Sequence, residues 1–151
     1  MLRERLTDEL KAAMKAKESR KVSTLRLILA ALKDRDLAAR AAGEADGVND
    51  DEILQLFTKM IRQRHESIKL YEEGGRVDLA AQEAEEIGII EEFLPPRLDD
   101  DEAEAAVAEV IAELGATGLK DMGRVMGALK QRYPGRMDFG KASARVKKAL
   151  A

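Results

Sequence analysis

Apolar residues recur every three or four positions along almost the whole chain and nowhere alternate over a useful strand length. The pattern predicts helices throughout. Leu2, Leu6, Leu10, Ala13 and Met14 predict a first helix over about Leu2–Lys17, with Arg3, Arg5, Asp8 and Lys11 on its solvated face. After the polar break KESRK, the stripe Val22, Leu25, Ile28, Leu29 and Leu32 predicts a second helix over about Ser19–Ala41. GEADGVN (Gly43–Asn49) reads as a loop. Asn49 is a natural N-cap, and Asp50, Asp51 and Glu52 fall in the first turn, where the helix dipole favours negative charge. The third helix then runs to about Glu73, with Ile53, Leu56, Phe57, Met60, Ile61, Arg64, Ile68 and Tyr71 inward, and Gly74-Gly75 stops it. A fourth, about Asp78–Phe93, carries Leu79, Ala80, Ile87 and Ile90 beside the acids Glu83, Glu85, Glu86, Glu91 and Glu92.

Leu94-Pro95-Pro96 cannot continue a helix, because proline lacks an amide donor and restricts the residue before it. The domain boundary is expected there. A fifth helix, about Asp100–Leu114, buries Ala106, Val107, Val110, Ile111 and Leu114. The last stretch, Leu119–Leu150, reads as two short amphipathic helices joined by Tyr133-Pro134-Gly135, with Asp138 capping the second. The predicted fold is all-α: a four-helix N-terminal domain (1–94) followed by a small three-helix C-terminal domain (95–151).

Composition narrows this further. The chain has 151 residues, 36% charged and 45% hydrophobic, as in a globular protein. Aromatics are only 3% and Trp is absent, so the core must be Leu, Ile, Val, Met and Ala, which suits helix on helix. With no Cys there is no disulfide, thiolate metal site or cysteine nucleophile, which is compatible with a reducing, cytoplasmic location. MLRERLTDEL lacks the apolar run of a signal peptide, and no segment approaches the roughly 20 apolar residues that span a bilayer, so no membrane partner is expected.

The net charge of −3 conceals segregation. Met1–Ala42 has eleven Lys/Arg against six Asp/Glu, Asp78–Glu109 one against twelve, and Gly118–Ala151 nine against two. Such blocks point to a polar partner or to contact between acidic and basic faces.

The last two helices therefore draw attention. On the sixth, Leu119, Met122, Val125, Met126 and Leu129 form an apolar stripe. At about 100° per residue, Lys120, Arg124 and Gln131 lie nearly opposite it, with Gly127 beside them. Gly123 and Gly127 stack on one side, each costing about 0.5–1 kcal/mol relative to Ala. Something is expected to approach that backbone: a neighbouring helix by the commoner reading, a phosphate or sugar of a nucleic acid by the sharper one. On the seventh helix Phe139, Ala142, Val146 and Leu150 face in while Lys141, Arg145 and Lys148 face out, and Arg136 sits in the turn. Lys120, Arg124, Arg136, Lys141, Arg145 and Lys148 are the candidate phosphate-gripping surface, against the plain alternative of a solvated helix face.

Catalytic chemistry is thin. His65 is the only histidine and has no cysteine to pair with. Asp99–Glu102 could be read as a hard-cation site, but consecutive acids at a helix start are better explained by capping. Glu83 and Glu86 give no convincing acid–base pair, and there is no phosphate-binding loop or nucleophile elbow. No catalytic residue, metal site or cofactor is predicted.

Several stretches, in this order, resemble the GatB/YqeY-like family. They are Thr24-Leu25-Arg26-Leu27 with Ala30-Ala31-Leu32-Lys33, Arg62-Gln63-Arg64 through Glu66-Ser67-Ile68 to Tyr71, and Gly75-Arg76 with Asp78-Leu79. Gln82-Glu83 and Glu86-Ile87 then lead to Phe93-Leu94-Pro95, followed by Asp121 to Gly127, Gly135-Arg136, Asp138 and Val146-Lys147. These are small bacterial proteins related to the tail domain of the B subunit of the glutamyl/aspartyl-tRNA amidotransferase. The resemblance implies a helical two-domain fold and a link to tRNA, which the tail domain helps hold while other domains and subunits do the chemistry. Carried over, it supports the surface around Lys120, Arg124 and Arg136. A carbon–nitrogen ligase label with glutamine as amido donor would follow from that kinship and not from residues here. Where the family often has Asp-Gly, Asp138 is followed by Phe139, which is less free to adopt positive φ. Three readings are carried: a tRNA- or RNA-binding accessory protein, an adaptor whose acidic fourth helix meets a basic protein partner, and a non-catalytic component of an amidotransferase complex.

Overall fold

The computed structural model describes residues 1–151 and contains seven α-helices and no strand. They are α1 (Leu2–Lys15), α2 (Ser19–Ala41), α3 (Asp50–Glu73), α4 (Val77–Glu91), α5 (Asp100–Leu114), α6 (Met122–Arg132) and α7 (Phe139–Leu150), with one 3₁₀ turn at Leu119–Asp121. The all-α expectation holds. The chain divides into two compact units, Met1–Leu94 and Pro95–Ala151, each with its own core.

In the first unit Leu6, Leu25, Ile28, Ile53, Phe57 and Ile90 are wholly buried. Phe57 meets Phe93 with ring centroids 6.1 Å apart, and the Arg5 guanidinium lies 4.8 Å from the Phe93 centroid. One charged group belongs to this interior. Asp36 continues the buried stripe Leu25, Ile28, Leu32 and is itself buried. Its carboxylate accepts bonds from the Arg3 guanidinium and from the amide of Val48 (3.0 Å), so α1, α2 and the loop before α3 are tied together. Gly47 closes the loop at φ +78, and a β-carbon there would collide with Asp36 Oδ1. In the second unit Val110, Val125, Leu129 and Val146 form the buried centre.

The caps explain the boundaries. Asn49 Oδ1 accepts from the Glu52 amide (2.9 Å) and Glu52 returns a carboxylate oxygen to the Asn49 amide (3.4 Å). Asp99 and Glu102 repeat this reciprocal arrangement before α5. Asp138 caps α7 through the amides of Gly140 (2.8 Å) and Lys141 (3.4 Å), and Phe139 enters the helix without positive φ. The positive φ of this turn lies at Gly135 instead.

Four expectations are corrected. The first helix ends at Lys15, because Lys17 adopts φ +56 and the amides of Lys17 and Glu18 turn back to the carbonyls of Met14 and Ala13. Met14 is 51% exposed, outside the core stripe. Phe93 lies beyond the end of α4, in the turn that buries its ring. Leu119 is 51% exposed, because the residues before α6 form a 3₁₀ turn whose tighter winding breaks the 3.6-residue register assumed for the stripe.

Candidate nucleic-acid interface

The solvent side of α6 is built by elimination. Val125 and Leu129 are fully buried, which turns Gly123, Arg124, Gly127 and Lys130 outward. A β-carbon at Gly123 or Gly127 would meet nothing within 4 Å. No neighbouring helix of the second unit approaches this backbone, so packing within the unit does not explain the two glycines. What remains is an 11-residue helix with two bare, solvent-facing positions one turn apart, edged by Arg124 and Lys130. Lys130 is a cation of this face that the sequence reading omitted, although its place three residues after Gly127 was the available signal.

The six candidate cations divide into two groups. Lys120, Lys141 and Lys148 are exposed and form no salt bridge, so their charges stand free in solvent. Arg124 is held by Asp121 at 3.1 Å but keeps 55% of its side chain exposed. The Asp121 carboxyl is held below its usual range, first by the Thr117 amide and then by Arg124. Two arginines are tied into the framework. Arg136 Nε donates to the Pro96 carbonyl (3.0 Å), and the Arg136 carbonyl accepts from the Leu98 amide (2.8 Å), which fixes the segment leading into α5. The Arg136 guanidinium also lies 6.0 Å from the Tyr133 ring centroid. Arg145 is only 28% exposed and donates to the carbonyl (2.7 Å) and carboxylate (2.9 Å) of Asp100. Its outward, free placement is thus corrected: α7 presents Lys141 and Lys148 to solvent and leans Arg145 against the start of α5. Lys141 and Arg145 do share a small cleft with Arg97.

The acidic helix is internally employed. Arg64 on α3 binds Glu86 at 3.0 Å and lies 3.9 Å from Glu83, all three largely buried. Burial, and then the neighbouring Glu86, push the Glu83 carboxyl above its usual range. Arg20 takes Glu85 (3.2 Å), and Lys21 takes Glu92 (3.3 Å) together with Glu9. These pairs give Glu83 and Glu86 a structural task, and Asp99, Asp100 and Glu102 are likewise occupied as caps or as the partner of Arg145. His65 is exposed on α3. No helix is long and apolar enough to cross a membrane.

The family model described as "Yqey-like protein" matches residues 3–150. Among curated proteins, the chain is 33% identical over 113 residues to "Altered inheritance of mitochondria protein 41, mitochondrial" of Lachancea thermotolerans, covering 72% of this chain and 57% of that protein. It is 28% identical over 123 residues to the protein of the same name from Vanderwaltozyma polyspora, covering 78% and 64%. The Kluyveromyces lactis protein of that name is 30% identical over 112 residues, covering 72% and 58%. The chain therefore spans about three fifths of the length of these curated relatives.

Proposed function

Because the chain belongs to the Yqey-like family, related to the tail domain of the B subunit of the glutamyl/aspartyl-tRNA amidotransferase, we propose that it is an accessory protein that holds structured RNA, tRNA first. The observation that carries this reading is the bare face of α6, where Gly123 and Gly127 meet no other part of the second unit. Gly127, inside the helix, costs about 0.5–1 kcal/mol relative to Ala with no packing return, and Gly123 leaves the first turn equally bare. Without side chains, the helix lets an anionic backbone come closer, while Lys120, Arg124 and Lys130 flank the approach. Phosphate contacts of this kind position a nucleic acid without reading its bases.

Within this reading Lys120, Arg124, Lys141 and Lys148 touch phosphate. Arg136 and Arg145 act at one remove, holding Pro96–Asp100 in place. The chain contributes RNA holding and no amide-transfer chemistry of its own, so the carbon–nitrogen ligase label stays with the catalytic parts of the amidotransferase. A cytoplasmic location remains part of the proposal. The mitochondrial location belongs to the names of the yeast relatives, which extend beyond the matched stretch.

The test is binding of purified protein to total tRNA across salt concentration, beside a Lys120→Ala/Arg124→Ala/Lys141→Ala variant. Each phosphate contact steepens the decline of log K with log salt by about 0.7–0.9. The variant is expected to bind more weakly, with a slope shallower by about 2. No wild-type binding at low salt would reduce the kinship with the tRNA-holding tail to fold alone, and an unchanged variant would move the site off this surface.

A further inference from the structure

The unused surface of α2 carries an inference independent of the RNA reading. One side of this 23-residue helix is buried through Leu25, Ile28, Leu32 and Asp36. The opposite side repeats at alternating intervals of four and three: Ser23, Leu27, Ala30, Asp34, Leu37 and Ala41. All six are exposed, with Leu27 at 48% and Leu37 at 54%. This is the spacing of a coiled-coil seam, and it has no partner within the first unit. Along one edge run Arg26, Lys33 and Arg40, seven residues apart, none of them in a salt bridge. Beside Lys33 and Arg40 lies a groove of about 230 Å³ whose apolar part is made by Leu29, Leu32 and Leu37.

We propose that this face docks an acidic amphipathic helix of a partner protein. The partner's apolar stripe covers Leu27, Ala30 and Leu37, and one of its larger apolar side chains enters the groove. Its acidic flank meets Arg26, Lys33 and Arg40. Asp34 marks the one layer at which the partner must offer a Lys, Arg or hydrogen-bonding side chain, and such a polar seam residue sets register. A second copy of this chain fits poorly. Antiparallel pairing would set the basic row against itself, and parallel pairing would set it against Ala31 and Ala38. RNA supplies charge for the row but no apolar side chain for Leu27, Leu37 and the groove.

The experiment uses the full-length protein and a fluorescein-labelled three-heptad peptide with leucine at its seam positions, glutamate flanks and one seam lysine. A control peptide has the same composition with the leucines scattered. Anisotropy should show the first peptide binding about tenfold tighter than the control. Leu37→Glu, and separately Lys33→Glu/Arg40→Glu, should each weaken it about tenfold at unchanged helicity. The Lys120→Ala/Arg124→Ala/Lys141→Ala variant should bind the peptide as the wild type does, which keeps this test separate from the RNA one. Should Leu37→Glu fail to fold, the charge variant decides alone. Equal binding of the two peptides, or no binding of the first, overturns the proposal. Displacement by total tRNA, together with loss of tRNA affinity in the Lys33/Arg40 variant, overturns it in favour of a nucleic-acid surface.

Discussion

Asp36 shows what one buried charge does. Its carboxyl is held below the usual carboxylate range by the hydrogen bond from Arg3, against the opposing effect of burial, with further help from the Val48 amide and Arg3 charge. A depressed folded-state pKa means that the stabilisation is fully present above the ordinary carboxylate pKa of about 3.9 and is lost as pH falls through the lower, folded value. Breaking a buried pair costs about 3–5 kcal/mol, but Arg3 is 35% exposed, so Asp36→Ala is expected to destabilise by about 2 kcal/mol in denaturant titration at pH 7. The deficit should vanish in acid. Glu83 has the opposite sign. Its raised pKa makes the ionised form a burden, so Glu83→Gln should leave the melting temperature at neutral pH unchanged or higher. Glu86→Gln, which removes the charge that pairs with Arg64 at 3.0 Å, should lower it. Equal losses from the two would refute this division of labour around Arg64.

At the scale of the element, helix ends decide what can be read in advance. The ends of α2 and α5 were legible because Gly43 and Gly115 mark the stops and Asp99 marks a start. The end of α1 was not, because Lys17 occupies the left-handed cap position that Gly43 fills after α2. Left-handed backbone costs a non-glycine residue about 1–2 kcal/mol. Lys17→Gly should therefore stabilise the chain by up to about 1 kcal/mol after the entropic penalty of glycine, measurable as a higher melting temperature. Asn49→Ala, which removes the reciprocal cap of α3, should cost about 1 kcal/mol. The candidate site was legible to the same limited depth. Periodicity put Val125 and Leu129 inside and Arg124 outside. It could not foresee that Arg145 would find Asp100, or Arg136 the Pro96 carbonyl, because partners 45 and 40 residues away belong to packing and not to pattern. For the same reason Asp36 went unnoticed, although a charge continuing an apolar stripe is itself a sign of a buried partner.

For the whole molecule, the governing fact is two cores that share no residue. Leu129→Ala removes a fully buried side chain from the second, at a cost of about 2–5 kcal/mol. Its effect on native-state hydrogen exchange should concentrate in α5–α7 and leave amides of α1–α4 near wild-type protection. Uniform acceleration across both units would show that they open as one. Charge follows a similar division. Of the nine cations of Gly118–Ala151, Arg124, Arg132 and Arg145 pair with Asp121, Glu113 and Asp100, whereas the acids of α4 are largely matched by Arg20, Lys21 and Arg64. Lys120, Lys130, Lys141, Lys147 and Lys148, on or beside α6 and α7, form no salt bridge, and neither do Arg26, Lys33 and Arg40 along α2, where the two proposed surfaces lie.

The shortage of aromatic rings gives the molecule an optical property. With no tryptophan to drain excitation, the near-ultraviolet emission comes from two tyrosines, Tyr71 in the first unit and Tyr133, beside Arg136, in the second. Replacing Tyr71 by Phe leaves a single intrinsic lamp. Without any label, its brightness would follow the melting of Pro95–Ala151 alone.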